Sequence, residues 1–272
     1  MRRVTALLIF LFLGGVILRR SMSPVEDRIS GSAMGTTWNV QWRGAKQDRQ
    51  EIRALVSGNL EKWEQVLSQW RESSDLSQFN NGAPASPELQ HVISLADEFS
   101  DRTNGAFDHR LLHETRQAGF GPPGSGVDLS AIGKGFAVDQ VAERLKQAGM
   151  KEFLFELGGE IIAVGEGWEV GIEAPDVSGV AVSRRVVLNN EALATSGNYR
   201  LFEQVPGGLK SHILDPVTKK PVIRRPISVS VVAKDCTTAD AWATALFVLG
   251  KGFPAPEGID VFWNDGSSSG KN

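Results

Sequence analysis

Polar and apolar positions along the chain change period several times, and each period predicts an element. "TTWNVQW" (36–42) alternates, as a strand with one buried face does. In 48–70, Ile52, Leu55, Val56, Leu60, Trp63, Val66 and Leu67 recur at helical spacing. A second amphipathic helix is predicted over 86–103, with Ser86 as N-cap and Pro87 in the first turn. "GFGPPGSG" (119–126) is a loop by composition, and the glycine-containing turn after it runs into a helix that stops at Gly149. Residues 152–165 read as strand, glycine break, strand. Further strands are predicted in 168–175, 184–197, 225–234 and 258–266, and an almost wholly apolar helix in 236–250. Strands and helices mix without regular alternation, which predicts a single α+β domain rather than a doubly wound sheet.

The two ends are different in kind. Residues 1–20 hold two arginines, a mostly apolar run from Val4 to Leu18, and two more arginines. That pattern fits a secretory signal or an uncleaved membrane anchor, and it predicts that the rest works outside the cytoplasm. A linker is expected over 21–29, the folded domain over 30–266 and a disordered tail over 267–272.

Composition narrows the chemistry. The formal net charge is −3 with a pI near 5.9, which removes the basic footprint that nucleic-acid binding requires. One cysteine, Cys236, excludes an internal disulfide and a cysteine-based metal cluster. Neither a zinc-peptidase nor a nucleophile-elbow motif occurs.

Four stretches carry candidate chemistry. In "DLSAIGKGFAVD" (128–139), two glycines flank Lys134 before a helix, so amides and an ammonium could face an anion, or the stretch is simply a turn. "ELGGE" (156–160) is either a tight bend or a place where backbone approaches a ligand. His212 lies at a strand–turn boundary before Asp215-Pro216, fit for catalysis or for structure. Asp240 and Thr244 share one helical face as two hard oxygen donors suited to Mg²⁺. The spacing Thr237-x-x-Asp240 also matches a capping box, in which the acid serves only its own helix.

Taken together and in order, "MGTTW" (34–38), "GAFD" (105–108), "DLSAIGKGFAVD", "LGGE", "TSGNYR", "SHILDP" and "ADAWATALFVLG" closely resemble the ApbE-type family of FAD:protein FMN transferases. The resemblance runs from about Ser30 to Gly266. It implies an ApbE-like, T-fold-like catalytic domain on the periplasmic side of a bacterial inner membrane. It also implies a Mg²⁺-dependent transfer of FMN from FAD to a threonine (sometimes serine) of a partner flavoprotein, with release of AMP. Carried over by motif, Asp240, Thr244 and the carbonyl of Ala131 look like the Mg²⁺ ligands, and His212 like the base. Met34, Ala106, Phe107, Asp108, Asp128, Lys134 and Ile213 match the FAD contacts. Trp70 stands where an aromatic stacks on a ring.

The chain departs from the family pattern twice. "GAFD" runs into "HRLLHETRQ", which changes the surroundings of Asp108. "GFGPPGSGVDLS" joins motifs that the family usually separates by several dozen residues, so a shortened lid over the nucleotide is expected. The alternatives this leaves are an FAD-binding protein without transfer, and a pyrophosphatase giving FMN and AMP.

Overall fold

The computed structural model describes residues 27–175 and 182–265. The apolar segment 1–20 and the tail 267–272 lie outside the described residues. Among those described, no helix is long and apolar enough to cross a membrane. The expected linker 21–29 is corrected at its end, because strand β1 (Asp27–Ala33) begins at Asp27. Only Ile29 of β1 is buried, so apolar alternation could not reveal it. Pairing makes it a strand: it runs antiparallel to β2 (Thr36–Trp42), with Ile29 opposite Val40.

Helix α1 (Arg49–Leu67) buries the apolar stripe read from its spacing, and Asp48 caps it. Two short helices flank α3 (Pro87–Arg102): α2 (Asp75–Asn80) before it and α4 (Leu112–Gln117) after it. Then come α5 (Gly133–Gln147), β3 (Phe153–Leu157), β4 (Glu160–Val164), β5 (Trp168–Glu173), β6 (Val182–Leu188) and β7 (Ala192–Gly197). The chain continues through β8 (Phe202–Val205), β9 (Gly208–Asp215), β10 (Lys220–Arg224), β11 (Ser228–Ala233), α6 (Cys236–Leu249) and β12 (Asp260–Asn264).

Seven strands form one antiparallel sheet in the order β1-β2-β3-β4-β7-β11-β12. Period-two alternation sorts its side chains between two layers. Phe153, Phe155, Val229 and Val231 join the core shared with α1, α5 and α6. Leu154, Ala163, Leu193 and Val232 point the other way, into a smaller core under the β5–β6 hairpin with Trp168, Val170, Ile172 and Leu188. Covered on both faces, β11 is buried at every position. Each such large side chain contributes on the order of 1.5–3 kcal/mol. A separate three-stranded sheet, β10-β9-β8, lies beside this body, and both α4 and α6 pack on β9. The α+β expectation therefore holds, with antiparallel sheets throughout the described residues.

Candidate functional site

Helix α6 positions the first half of the site. Its N-cap is Asp235, whose side chain accepts from the Thr238 amide at 2.7 Å. The next two amides, of Cys236 and Thr237, donate to Asp139 of α5 at 2.8 Å each, and the Thr237 hydroxyl donates to Asp139 at 2.5 Å. The capping box is thereby ruled out: the first-turn donors are served without Asp240. Asp240 instead accepts from the amide of Gly135, at 3.0 Å, on the first turn of α5. Helix α5 has no side-chain cap of its own, so this bond satisfies an orphan donor of a different helix. The glycine is required. A Cβ at Gly135 would stand 2.7 Å from the Cβ of Asp240 and closer still to the Cys236 carbonyl.

The Asp240 carboxyl is 5% exposed and shares its surroundings with Glu160 and Lys134. Lys134 pairs with Glu160, whose second oxygen, Oε2, is buried without a partner. Burial and the Glu160 charge push the Asp240 carboxyl up to about 7, although Lys134 and the Gly135 amide pull against them. Burial disfavours the charge on Lys134, but Glu160 and Asp240 outweigh it and hold the ammonium above its ordinary value. Two buried carboxylates facing one ammonium leave room for another positive charge. One turn along α6, the Thr244 hydroxyl lies 3.1 Å from that of Ser196. Carboxylate, hydroxyl and the nearby Ala131 backbone are hard oxygen donors, the set that suits a small divalent cation.

The second half comes from β9. His212 Nδ1 lies 3.2 Å from the carbonyl oxygen of Leu201. A carbonyl only accepts, so Nδ1 carries the hydrogen and the lone pair of Nε2 is free. Burial pushes the imidazole below its ordinary value; the Lys134 charge adds to this, while the Leu201 bond and Asp128 oppose it. The ring of Phe120 meets His212 edge to face, centroids 6.4 Å apart.

Both halves line one cavity of about 470 Å³, within the size range of ligand clefts. Asp240, Thr244, Ala131, Lys134 and His212 all face it, as do Ala106, Phe107, Asp108, Asp128 and Ile213. Trp70 stands at its edge, 66% exposed. Met34 is not among the lining residues. It occupies the β1–β2 turn at φ 50°, its amide bonded to Glu64 at 3.1 Å. Asp108 holds Arg110, through Nε at 2.9 Å, so the residues that depart from the family pattern do surround it. The rest of that stretch forms α4, tied to the β9–β10 turn by Glu114 and Lys219.

The two readings of "ELGGE" prove compatible. Gly158 and Gly159, at φ 65° and 110°, make the two-residue turn between β3 and β4, and both line the cavity. Residue patterns overlooked Glu160, Tyr199 and Arg200 as cavity residues. The first closes the "LGGE" motif and the others end "TSGNYR", so motif membership was the available signal.

The model of the ApbE family matches residues 34–126 and 120–255, and the two stretches overlap in the shortened connection. A Vibrio cholerae FAD:protein FMN transferase is 31% identical, covering 87% of this chain and 85% of its own. One from Klebsiella pneumoniae is 30% identical, covering 82% and 78%. Among solved structures, the flavin transferase ApbE of Vibrio cholerae superposes with a TM-score of 0.72 at 27% identity, over 89% of this chain and 98% of that one. The apo flavinyl transferase ApbE of Pseudomonas stutzeri gives 0.75 at 25% identity, over 89% and 95%. The mixed fold with its antiparallel sheets is thus that of the flavin transferase structures. The chain belongs to the ApbE family.

Proposed function

We propose that this chain transfers the FMN half of FAD to a threonine or serine hydroxyl of a partner flavoprotein, releasing AMP, with Mg²⁺ as cofactor. The observation that carries the reading is the meeting of two chemistries in one cavity. Buried Asp240, spared from capping its own helix, and Thr244 lie on one side, and a histidine with a free Nε2 lies on the other. The relatives' activity supports the same reading.

Asp240, Thr244 and the Ala131 carbonyl would hold Mg²⁺, which when bound neutralises and orients a diphosphate. His212 Nε2 takes the proton of the acceptor hydroxyl. The hydroxyl oxygen bonds to the FMN-side phosphorus as the bond from that phosphorus to the bridging oxygen breaks, and AMP leaves with that oxygen. Lys134, held by Glu160, offsets charge on the phosphates. Trp70 offers a ring for stacking. The apolar run of residues 1–20 supports a place outside the cytoplasm, on the periplasmic side of the inner membrane, by anchor or export.

The test uses the apo acceptor flavoprotein that the Vibrio cholerae relative modifies, with FAD and Mg²⁺. Mass spectrometry should show an FMN-sized gain on the acceptor and chromatography an equal amount of AMP. Asp240→Asn, which keeps an oxygen for the Gly135 amide, should remain folded and lose both products. AMP at full rate without a labelled acceptor would instead identify a pyrophosphatase, and bound FAD with neither product a binding protein.

A further inference from the structure

Lys134 is influenced by two buried carboxylates, and its choice between them decides what the cavity can hold. The charges of both Glu160 and Asp240 favour its ammonium. Among the described residues it nevertheless forms an ion pair with Glu160 and none with Asp240. Arg200, the other lysine or arginine on the cavity wall, pairs with Glu173.

The local fold sets this choice. Gly158 and Gly159 turn the chain between β3 and β4, and Glu160 is the first residue after them, paired with Leu157. Period-two alternation puts Glu160 on the same face of β4 as Ile162, which joins the main core, and α5 packs on that strand. Lys134 is the second residue of α5. The register of β4 therefore brings a carboxylate to the ammonium. The next residue, Gly135, donates its amide to Oδ2 of Asp240 and leaves Oδ1 without that bond. Glu160 offers the cavity no oxygen of its own: one is taken by Lys134, and the other, Oε2, is buried without a partner. Its influence runs through Lys134. An ammonium released from Glu160 has Asp240 as its remaining carboxylate, and there it would take the oxygen that a divalent cation needs.

We propose that Glu160 is a positioning residue of the cation site: it holds the Lys134 ammonium off Asp240, so that the carboxylate oxygen left open by Gly135 can take a divalent cation. This deepens the transferase reading above and rests on its metal part. Lys134 then serves the phosphates from beside the cation instead of competing for its place.

The experiment titrates Mn²⁺, a paramagnetic stand-in for Mg²⁺, into the full chain without FAD and follows free Mn²⁺ by electron paramagnetic resonance. It is run at pH 8, where the Asp240 carboxyl, raised to about 7, is ionised. Asp240→Asn should abolish the binding seen in wild type, which locates the ion. Glu160→Gln keeps an oxygen for Lys134 but removes the charge that holds it, and should weaken Mn²⁺ about tenfold or more. A crystal structure of that variant should show Lys134 Nζ within hydrogen-bond reach of Asp240. Adding Lys134→Met to Glu160→Gln removes the competitor and should restore the affinity to within about threefold of wild type. Unchanged Mn²⁺ affinity in Glu160→Gln, or Lys134 still bonded at residue 160 in its crystal structure, overturns the proposal and leaves the transferase reading intact. A loss that Lys134→Met does not recover would mean that Glu160 serves the cation directly or only the fold, and overturns it as well. Wild type and Asp240→Asn binding Mn²⁺ equally would overturn the metal reading itself.

Discussion

At the scale of single residues, Asp240 shows what a sequence can and cannot say about a carboxylate. Its spacing from Thr237 fitted a capping box, and its spacing from Thr244 fitted a metal pair. The choice between them depended on Asp139, which takes the two amides from a helix distant in sequence. No local pattern could supply that. His212 was visible at a strand–turn boundary, but its tautomer depends on Leu201 across a strand pair. That environment makes a prediction. Burial holds the imidazole below its ordinary value, so His212 stays neutral, and able to accept a proton, to below pH 6.5. The acid limb of kcat/KM for transfer should therefore have its midpoint below 6.5, and His212→Gln should remove that limb while lowering kcat by about 10²–10⁴. The linkage has the same sign. Between the lowered folded value and the ordinary unfolded value, the unfolded chain binds more protons, so this group costs stability as pH falls through that window. An acid limb left unchanged by His212→Gln would belong to another group, such as Asp240, and would remove His212 from the role of base.

Elements were readable where packing and local pattern agree. The stripe of α1 and the apolar run of α6 follow directly from their spacing, because both helices bury those positions in the main core. Elements held by partners rather than by their own pattern were not. Strand β1 buries one side chain, and β8 none. Helix α2 is too short for a period; it is useful because Asn80 bonds both the amide and the carbonyl of Val127 at 2.8 Å, fixing the end of the shortened connection. The crossing of α5 and α6 is the element-scale device that places Asp240. It combines Gly135, Asp139 and the cap Asp235, and the contributions should rank by number of bonds. Asp235→Ala removes one cap bond and should cost about 1 kcal/mol. Asp139→Ala strands two amides and a hydroxyl and should cost about 2–3 kcal/mol. Burial raises the Asp139 carboxyl to about 6 despite these bonds, so its ionised form carries a burial cost. Asp139→Asn should fall between the two alanine variants. Urea denaturation gives the order directly, and a larger loss at Asp235 would mean that α6 is held by its own cap.

At the scale of the whole molecule, the cavity belongs to no single layer. Its walls come from the β3–β4 turn and β7 of the large sheet, from α5 and α6, from β9 of the small sheet and from the β5 strand of the covering hairpin. The hairpin and the small sheet are attached to the main body by fewer buried side chains than the central strands, so their opening should lie at the low end of the stability range. A dinucleotide seated in the cavity would touch all of these parts at once. Ligand binding to the folded form alone stabilises by RT ln(1 + [L]/Kd), about 2.7 kcal/mol at a hundredfold excess over Kd. For a domain of this size that corresponds to a rise in Tm of roughly 5–10 °C. FAD with Mg²⁺ should give such a rise, and removing the cation with EDTA should return much of it, because the diphosphate would then face the buried Asp240 and Glu160 carboxylates without the added positive charge. Hydrogen exchange should locate the gain in β8, β9 and the β5–β6 hairpin, with little change in β11, which is buried in either state. Protection confined to α5 and α6 would mean that the ligand occupies only the metal side of the cavity, and that the small sheet carrying His212 is not part of the binding unit.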